Sequence, residues 1–320
     1  MIHASLTSDP MELQRLTPDG YAKAFEASAP HVYNTVAFAE HNAALASEVG
    51  YFALRDANKL RLGLIAGRRD GRWLSPFSAP FGGMTANGYQ SVDYYREFAG
   101  LLRDFVGSRG EDLVVTLPPE FYAPGHVAKQ TAAFAEIGSL LCTDLNFHRT
   151  VRPGEEPRNE FFRKTVYDLR NTDRHDISVV SFGAESSAEV ERAYDIIARN
   201  HAALGYPLKM SLGQVISTAP ITGSRFTVLS IDGCDAAAAM VNRSARNVAQ
   251  VIYWGDLLEM RGLHPMVKMA ETLMAECAAE GIAVLDIGPS SSQGVPSPGL
   301  CRFKESVGCV ASVKSSFVLR

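Results

Sequence analysis

The sequence predicts an α/β protein made of two tandem copies of one layered unit, with a cleft between the copies. The first observation is that each half contains three consecutive strand-like segments followed by a long amphipathic helix. The second is that each half then contains an apolar strand that ends at proline, "DLVVTLPP" and "IAVLDIGP". The third is that the corresponding residues Pro118 and Pro289 lie 171 residues apart, which indicates a repeat of order and length.

The first half begins with two predicted helices within residues 18–49, and Asn34 is the predicted N-cap of the second. One face of that second helix carries Thr35, Phe38, Asn42, Leu45 and Val49. Three strands follow, separated by turns, in "YFALRD", "LRLGLIAG" and "RWLSPF". A helix over residues 92–106, the strand "DLVVTLPP", a helix over residues 125–138 and the strand "LLCTDLNFHRTV" complete this half.

The second half repeats this order after a polar linker, "RPGEEPRNEFFRKTVYDLRNTDRHD", which becomes helical. The strand "DISVVSF" precedes a helix that ends near "GYP" and has Val190, Tyr194, Ile197 and His201 on one face. The remaining predicted elements are the strands "RFTVLSID", "AAAAMVNRS" and "NVAQVIYWG", a helix over residues 263–279, the strand "IAVLDIGPS", a short helix after Gly299 and the strand "CVASVKSSFVL". The predicted domains are residues 1–158 and 159–320.

Composition excludes several classes of protein. The formal net charge of −4 argues against a generally basic nucleic-acid-binding protein. No run of about 20 apolar residues is present, so no membrane span is expected, and "MIHASLTSDP" lacks the features of a signal peptide. The five cysteines are scattered and the histidines lack metal-ligand spacing, so we expect no metal site and a cytoplasmic location. Two fused units favour a monomer or a weak dimer.

The C-terminal segment "FKESVG" carries Phe303, Lys304 and Gly308 in an F-K-x-x-x-G pattern. With "SPFSAPFGG", "YWGD" and "LDIGPS", and with the tandem order of elements, it resembles the FemA/FemB/FemX aminoacyltransferases and their FemAB-like relatives. The resemblance spans nearly the whole chain and implies two GCN5-related N-acetyltransferase (GNAT) units. It also implies transfer of an acyl group onto an amine of a small molecule or peptide. The donor is aminoacyl-tRNA in the Fem transferases and acetyl-CoA in ordinary GNAT enzymes, and no permanently bound cofactor is expected.

Attack of an amine on an ester or thioester places negative charge on the carbonyl oxygen, and one well-placed donor accelerates such a step by about 100- to 1000-fold. Lys304, predicted at the start of the short helix, is therefore a candidate for stabilising that charge or the terminal phosphate of the donor. Phe303 is expected to pack beside the donor. The alternative is a surface lysine whose aliphatic stem covers Phe303.

Asp286 lies in an otherwise apolar strand, between Leu285 and Ile287. A buried carboxylate needs a partner, and burial in general disfavours the charged form of a carboxyl group, so Asp286 is a candidate acceptor for the proton of the attacking amine. A structural hydrogen bond to the turn at residues 290–292 is the alternative. Ser290, at the start of that turn, is a candidate substrate-binding residue.

The segment "VIYWGDLLEMRGLHP" stands where a GNAT enzyme would bind pyrophosphate, but it lacks the Q/R-x-x-G-x-G/A pattern and carries Asp256 and Glu259, which would repel phosphate. It predicts an acceptor pocket instead, with core packing as the alternative for the two aromatic residues. Lys209, in "HAALGYPLKMS", is a candidate contact for phosphate or carboxylate. The predicted pocket residues are Tyr253, Trp254, Asp256 and His264.

The linker helix carries four basic residues that favour contact with an RNA backbone, interleaved with Asp168 and Asp173, as on an ordinary solvated helix. Charged tRNA is therefore a further candidate partner. Three hypotheses remain: a FemAB-like acyl- or aminoacyltransferase, an acyl-CoA-dependent GNAT N-acyltransferase, and a non-catalytic ligand-binding protein on a GNAT scaffold. The four basic residues are Arg163, Lys164, Arg170 and Arg174.

Overall fold

The computed structural model describes residues 11–206 and 208–320. Residues 1–10, which bear on the signal-peptide prediction, and Pro207 of the "GYP" segment lie outside the described residues. The chain divides into two compact units: unit 1 is Met1–Thr143 with Val313–Arg320, and unit 2 is Asp144–Ser312. The GNAT-domain boundary placed after residue 158 by the sequence stays a prediction. The last residues belong to unit 1 because Ser316–Leu319 pair with a strand of that unit.

The described helices and strands of unit 1 follow the predicted order, with 3₁₀ turns between some of them. In chain order they are β1 (Glu12–Leu16), α1 (Pro18–Phe25), α2 (Val36–His41), β2 (Glu48–Asp56), β3 (Lys59–Arg69), β4 (Arg72–Ser75), β5 (Met84–Ala86), α3 (Val92–Gly107), β6 (Asp112–Thr116), α4 (His126–Ile137) and β7 (Ser139–Thr150), of which residues 139–143 belong to unit 1.

The described elements of unit 2 begin with the rest of β7. In chain order the others are α5 (Arg163–Thr172), β8 (Ile177–Phe182), α6 (Ser187–Leu204), α7 (Leu212–Thr222), β9 (Arg225–Ile231), β10 (Cys234–Ala245), β11 (Val248–Asp256), α8 (Pro265–Ala279), β12 (Val284–Pro289), the short hairpin strands β13 (Ser291–Ser292) and β14 (Val295–Pro296), α9 (Pro298–Ser306) and β15 (Val310–Leu319), whose residues 313–319 belong to unit 1.

Each unit has a mostly antiparallel sheet with one parallel pair of strands. In unit 1 the order is β1, β2, β3, β4, β6 and the end of β15, and the parallel pair is β4–β6. In unit 2 the order is β7, β12, β11, β10, β9 and β8, and the parallel pair is β11–β12. Helices connect the strands of each parallel pair, as such crossovers require. This architecture confirms the predicted α/β class and the repeated order of elements.

Helices α6 and α8 pack on the unit 2 sheet through the faces predicted from their periodicity. Val190 and Ile197 of α6 are buried in one apolar cluster, and Leu273 and Cys277 of α8 are buried in another. Burying one such large apolar side chain contributes about 1.5–3 kcal/mol. The apolar periodicity of α6 and α8 in the sequence therefore marks the side chains whose burial stabilises this unit.

The second helix of unit 1 differs from its prediction. Thr35, not Asn34, is the N-cap of α2, because the Thr35 hydroxyl accepts a hydrogen bond from the Phe38 N–H. Asn34 is buried instead, and its amide donates to the Gly83 carbonyl at 2.9 Å. The helix ends at His41, so the predicted stripe does not continue as one α-helical face to Val49.

Five elements were not predicted from the sequence: β1, β5, α7 and the short hairpin strands β13 and β14. Helix α7 contains Pro220 and several β-branched residues, which weaken its helical pattern. It is started by a capping box in which Ser211 and Gln214 bond each other's backbone N–H groups. No helix among the described residues has both the length and the apolar character needed to span a membrane.

Candidate functional site

The candidate site of unit 2 is formed where β11 and β12 separate. Their parallel pairing covers Val248–Val284, Ala249–Leu285 and Gln250–Asp286, and beyond these pairs β11 continues beside β10 while β12 continues beside β7. The register of β10 shifts where β11 has the extra residue Ile252, which is a β-bulge. We call the region bounded by residues 250–254 and 286–290 the β11–β12 split.

Asp286 lies at the base of the split and is fully buried. Its carboxylate accepts hydrogen bonds from the Asn146 amide at 2.8 Å, the Gln250 amide at 3.0 Å and the Gly288 N–H at 2.9 Å. Three donors from three segments satisfy a buried charge that would otherwise be costly. This geometry favours the structural alternative for Asp286, with these partners in place of the turn at residues 290–292.

Lys304 is 4% exposed and lies in the last turn of α9, not at its start as predicted. A lysine is favourable there because the helix dipole is negative at the C-terminal end. The ammonium donates to the Gly288 carbonyl at 2.8 Å and to the Pro289 carbonyl at 2.9 Å, and it lies 5.7 Å from the Phe147 ring centroid. The alternative of a surface lysine is therefore wrong, and Lys304 fixes the end of β12.

Two aromatic rings lie together beside the split. The Trp254 and Phe303 ring centroids are 5.9 Å apart with an interplanar angle of 66°, and both side chains pack partly buried against the same apolar cluster. Ser290 is buried next to this region, with its N–H bonded to the Leu145 carbonyl at 2.8 Å. Its hydroxyl has no hydrogen-bond partner among the described residues.

The side chains of the other predicted binding residues lie elsewhere in unit 2. Tyr253 points to the α6–α7 side of the sheet, 5.8 Å from the His201 ring, and burial raises the pKa of its hydroxyl. Lys209 is exposed in the segment that follows α6, and its backbone bonds Tyr253. His264 Nε2 lies 3.8 Å from Asp168. The structure therefore gathers Asp286, Ser290, Trp254, Phe303 and Lys304 at the split, away from Tyr253, Lys209, Asp256 and His264.

The segment that leads into α8 is poorly suited to hold pyrophosphate. The buried Asp256 carboxylate receives two hydrogen bonds from Arg261, at 2.9 and 3.0 Å, and one from Asn200 at 2.8 Å. Pro265 occupies the first turn of α8 and has no N–H to offer. A phosphate cradle depends on such N–H groups at a helix N-terminus and on the absence of nearby carboxylates.

The parallel pair of unit 1, β4–β6, is followed by a loop that fills the space between the strands. The Gly82 N–H donates to the Thr116 carbonyl at the end of β6, and Phe81 is buried. A Cβ on Gly82 would lie 2.8 Å from the Pro76 nitrogen, and one on Gly83 would lie 2.7 Å from Gln130 Oε1. The paired glycines of "SAPFGGMTANG" are therefore required by packing.

Sequence reasoning did not identify Asn146 and Gln250 as part of the site. The available signal was an amide side chain within each of two apolar strands, "LLCTDLNFHRTV" and "NVAQVIYWG". His148, the register partner of Asp286, was also not singled out. Desolvation lowers the pKa of His148, and the Asp286 charge opposes that shift. Among residues 11–206 and 208–320, no three His, Cys, Asp or Glu side chains are grouped as a metal ion would require.

The fold and the split define the class of structure, which is a tandem GNAT fold. A crystal structure of FemX matches with a TM-score of 0.64 and 10% identity, over 95% of this chain and 96% of that one. L-PGS from Bacillus licheniformis matches with a TM-score of 0.55 and 10% identity, over 94% and 90%. A tandem GNAT protein from the clavulanic acid biosynthesis pathway matches with a TM-score of 0.50 and 13% identity, over 97% and 98%.

No protein-family model matches this sequence, and no curated protein matches it. At identities of 10–13% the three structural matches show the fold. They confirm the predicted resemblance to FemX-type proteins at that level.

Proposed function

We propose that this chain is a FemAB-like acyl- or aminoacyltransferase that moves an acyl group from an ester or thioester onto an amine of a small molecule or peptide. The observation that carries the proposal is the β11–β12 split, which has a satisfied buried carboxylate at its base and a buried ammonium at the end of one strand. Where parallel strands separate, backbone groups are left to bind an extended acyl chain, as an added strand would.

The proposed reaction uses two features of the split. Backbone groups near the bulge at Ile252 hold the acyl carbonyl, and the rings of Trp254 and Phe303 offer an apolar and π-rich wall for the reacting groups. The amine nitrogen forms a bond to the carbonyl carbon, the bond from that carbon to the donor oxygen or sulfur breaks, and the leaving group takes up the proton lost by the amine.

Lys304 acts in this proposal as a positioning residue with an electrostatic contribution. Its ammonium fixes the Gly288 and Pro289 carbonyls, so it sets the width of the split. As a buried positive charge it also favours the negative charge that develops on the carbonyl oxygen. Asp286 holds the base of the split through Asn146 and Gln250. Ser290, whose buried hydroxyl has no hydrogen-bond partner among the described residues, stays a proposed substrate-binding residue.

Aminoacyl-tRNA is the proposed donor, because the segment before α8 disfavours the pyrophosphate of CoA. A thermal-shift titration with acetyl-CoA and longer acyl-CoAs tests this choice, and we expect no shift. A ligand at about 100 times its dissociation constant stabilises a protein by about 2.7 kcal/mol, which is several degrees. A shift of that size would favour the second candidate, an acyl-CoA-dependent GNAT N-acyltransferase. The cytoplasmic location and the monomeric or weakly dimeric state also stay predictions.

The variant Lys304→Ala tests the role of the ammonium. It leaves the buried Gly288 carbonyl and the partly buried Pro289 carbonyl without this donor, so we expect a loss of about 1–3 kcal/mol in the free energy of unfolding. We also expect kcat to fall by a much larger factor than the fraction of folded protein. Product formation is measured by mass spectrometry after a panel of amines is incubated with aminoacyl-tRNA or acyl-CoA. Lys304→Arg should restore part of kcat, and Lys23→Ala, at an exposed lysine of unit 1, is the matched control. Wild-type kcat in Lys304→Ala would contradict the role, and donor or amine binding without product would favour the non-catalytic hypothesis.

A further inference from the structure

Helix α5 presents a row of basic and aromatic side chains. Arg163, Tyr167 and Arg170 follow the spacing of one helical face, Phe162 precedes the helix and Arg174 follows it. Phe162 is 56% exposed and Tyr167 is 61% exposed, and the three arginines are exposed as well. We call these five residues the α5 basic stripe.

The three arginines of the stripe make no ion pair with any carboxylate in the described part of the chain. The acidic residues interleaved with them are engaged by other cations. Asp168 bonds Lys164, and Asp173 bonds Arg158 at 3.2 Å and Lys268 at 2.8 Å. The stripe therefore carries uncompensated positive charge on a chain whose formal net charge is −4.

The opposite face of α5 is committed to the interior of unit 2. Thr165, Leu169 and Thr172 are buried, and Val166 packs against the apolar cluster that contains Leu169. A helix that lies in a membrane interface needs its wide apolar face free to enter the lipid. That face is occupied here, and the exposed face alternates arginines with two rings, which suits phosphates and bases better than acyl chains.

The stripe begins next to the candidate site. The Phe162 N–H donates to the Ser306 carbonyl at 2.9 Å, which joins the start of α5 to the end of α9. Helix α9 carries Phe303 and Lys304. A polyanion bound along α5 would therefore have one end close to the helix that fixes the β11–β12 split.

We infer that the α5 basic stripe binds RNA, with the arginines on the phosphate backbone and the Phe162 and Tyr167 rings stacked on unpaired bases. The binding itself does not depend on any transfer reaction. That this RNA is the acyl donor rests on the proposed function. Each arginine–phosphate contact adds about 0.7–0.9 to the slope of log affinity against log salt, so the three arginines account for a slope of about 2–3.

The test is fluorescence anisotropy with a fluorescein-labelled RNA hairpin that has a single-stranded 3′ end, titrated with the full chain over a range of salt concentrations. The triple variant Arg163→Gln, Arg170→Gln, Arg174→Gln should bind at least about tenfold more weakly, with a salt slope lower by about 2–3. Tyr167→Ala should weaken binding by about 5- to 150-fold with little change in slope, because stacking is not ionic.

The control triple variant is Arg72→Gln, Arg103→Gln, Arg199→Gln. It removes the same total charge as the first triple variant, but from three arginines that each have a carboxylate partner. The nitrogen–oxygen distances of these ion pairs are 3.6, 2.8 and 2.8 Å. We expect its affinity and salt slope to match the wild type. Equal losses in both triple variants, or no hairpin binding by the wild type at low salt, would overturn the inference.

Two further measurements distinguish RNA binding from membrane binding and from the proposed transferase function. Stripe-dependent binding to phosphatidylglycerol vesicles in place of the hairpin would assign the stripe to a membrane and would overturn RNA binding. Product formation is measured separately. A wild-type protein that binds the hairpin through the stripe but forms no product supports the stripe and counts against the proposed transferase function.

Discussion

Gly308, the glycine of the F-K-x-x-x-G pattern, is explained by its backbone and its neighbour. Its φ of +74° lies in the region that L side chains rarely adopt, and a Cβ there would be 3.0 Å from the Glu160 carbonyl oxygen. Its carbonyl also accepts a hydrogen bond from Arg149 at 3.3 Å. The motif glycine therefore allows the chain to turn out of α9 against the 157–160 segment, and its role is structural.

Gly308→Ala should lower the free energy of unfolding by about 1–2 kcal/mol, because a residue with a Cβ is strained in the left-handed region and the Glu160 carbonyl must also move. Gly299→Ala, in the first turn of α9, is the matched control. Apart from its chain neighbours and the backbone of its own helix, no heavy atom lies within 4 Å of its added Cβ, so this variant should be neutral or stabilising by about 0.5–1 kcal/mol. Urea unfolding measures both variants, and equal effects would contradict this account.

At the scale of elements, Asp286 links three strands that are distant in sequence. Asn146 is on β7, Gln250 is on β11, and Asp286 itself is on β12. Gln250 and Asp286 form the last parallel pair of β11 and β12. The two strands therefore separate directly after the hydrogen bond between these two side chains. The base of the split is thus a polar junction within an apolar sheet.

Asp286→Asn should cost about 2–3 kcal/mol of unfolding free energy, since a neutral amide cannot accept from Asn146, Gln250 and the Gly288 N–H together, and buried donors are left unsatisfied. Hydrogen exchange of the Gly288 amide should become faster than in the wild type. The exposed turn variant Asn58→Ala serves as a control and should be nearly neutral. Wild-type stability in Asp286→Asn would show that the carboxylate is not the centre of this junction.

At the scale of the whole molecule, the buried His31 and three half-buried histidines make stability depend on pH. Desolvation lowers the pKa of His126, His148 and His201, and it lowers the pKa of His31 to about 3. The folded state therefore binds fewer protons than the unfolded state below the ordinary histidine pKa of about 6.5. The stability from a neutral buried histidine is present above pH 6.5 and falls as the pH is lowered toward the folded pKa.

The variant His31→Phe should have a flatter pH profile between about pH 6.5 and 4. One histidine contributes up to about 1.4 kcal/mol per pH unit to the slope in this window. Urea unfolding at several pH values measures the slope, so a uniform loss of stability does not affect the test. Asn58→Ala, at an exposed turn position that carries no titratable group, should leave the slope unchanged. Identical slopes in His31→Phe and the wild type would contradict the role of His31.

The limits of sequence-based prediction are visible in particular elements. Helices α3, α6 and α8 were predicted because their apolar side chains recur at helical spacing and face one core. Helix α7 was missed, since its start depends on a capping box and its interior contains Pro220. Lys304 was correctly placed on the short helix but at the wrong end, because the first residue of α9 depends on where the preceding hairpin places the chain.

The sequence by itself determined the order of the elements, the repeat, the buried helix faces and the glycine-containing motif, because each depends on local spacing or on the chemistry of single residues. Only the tertiary structure decided that Asp286 meets an amide 140 residues away and another 36 residues away, and that Lys304 bonds a carbonyl 16 residues earlier. These contacts depend on strand register and helix placement, which distant parts of the chain set together. The candidate site therefore became visible only in three dimensions.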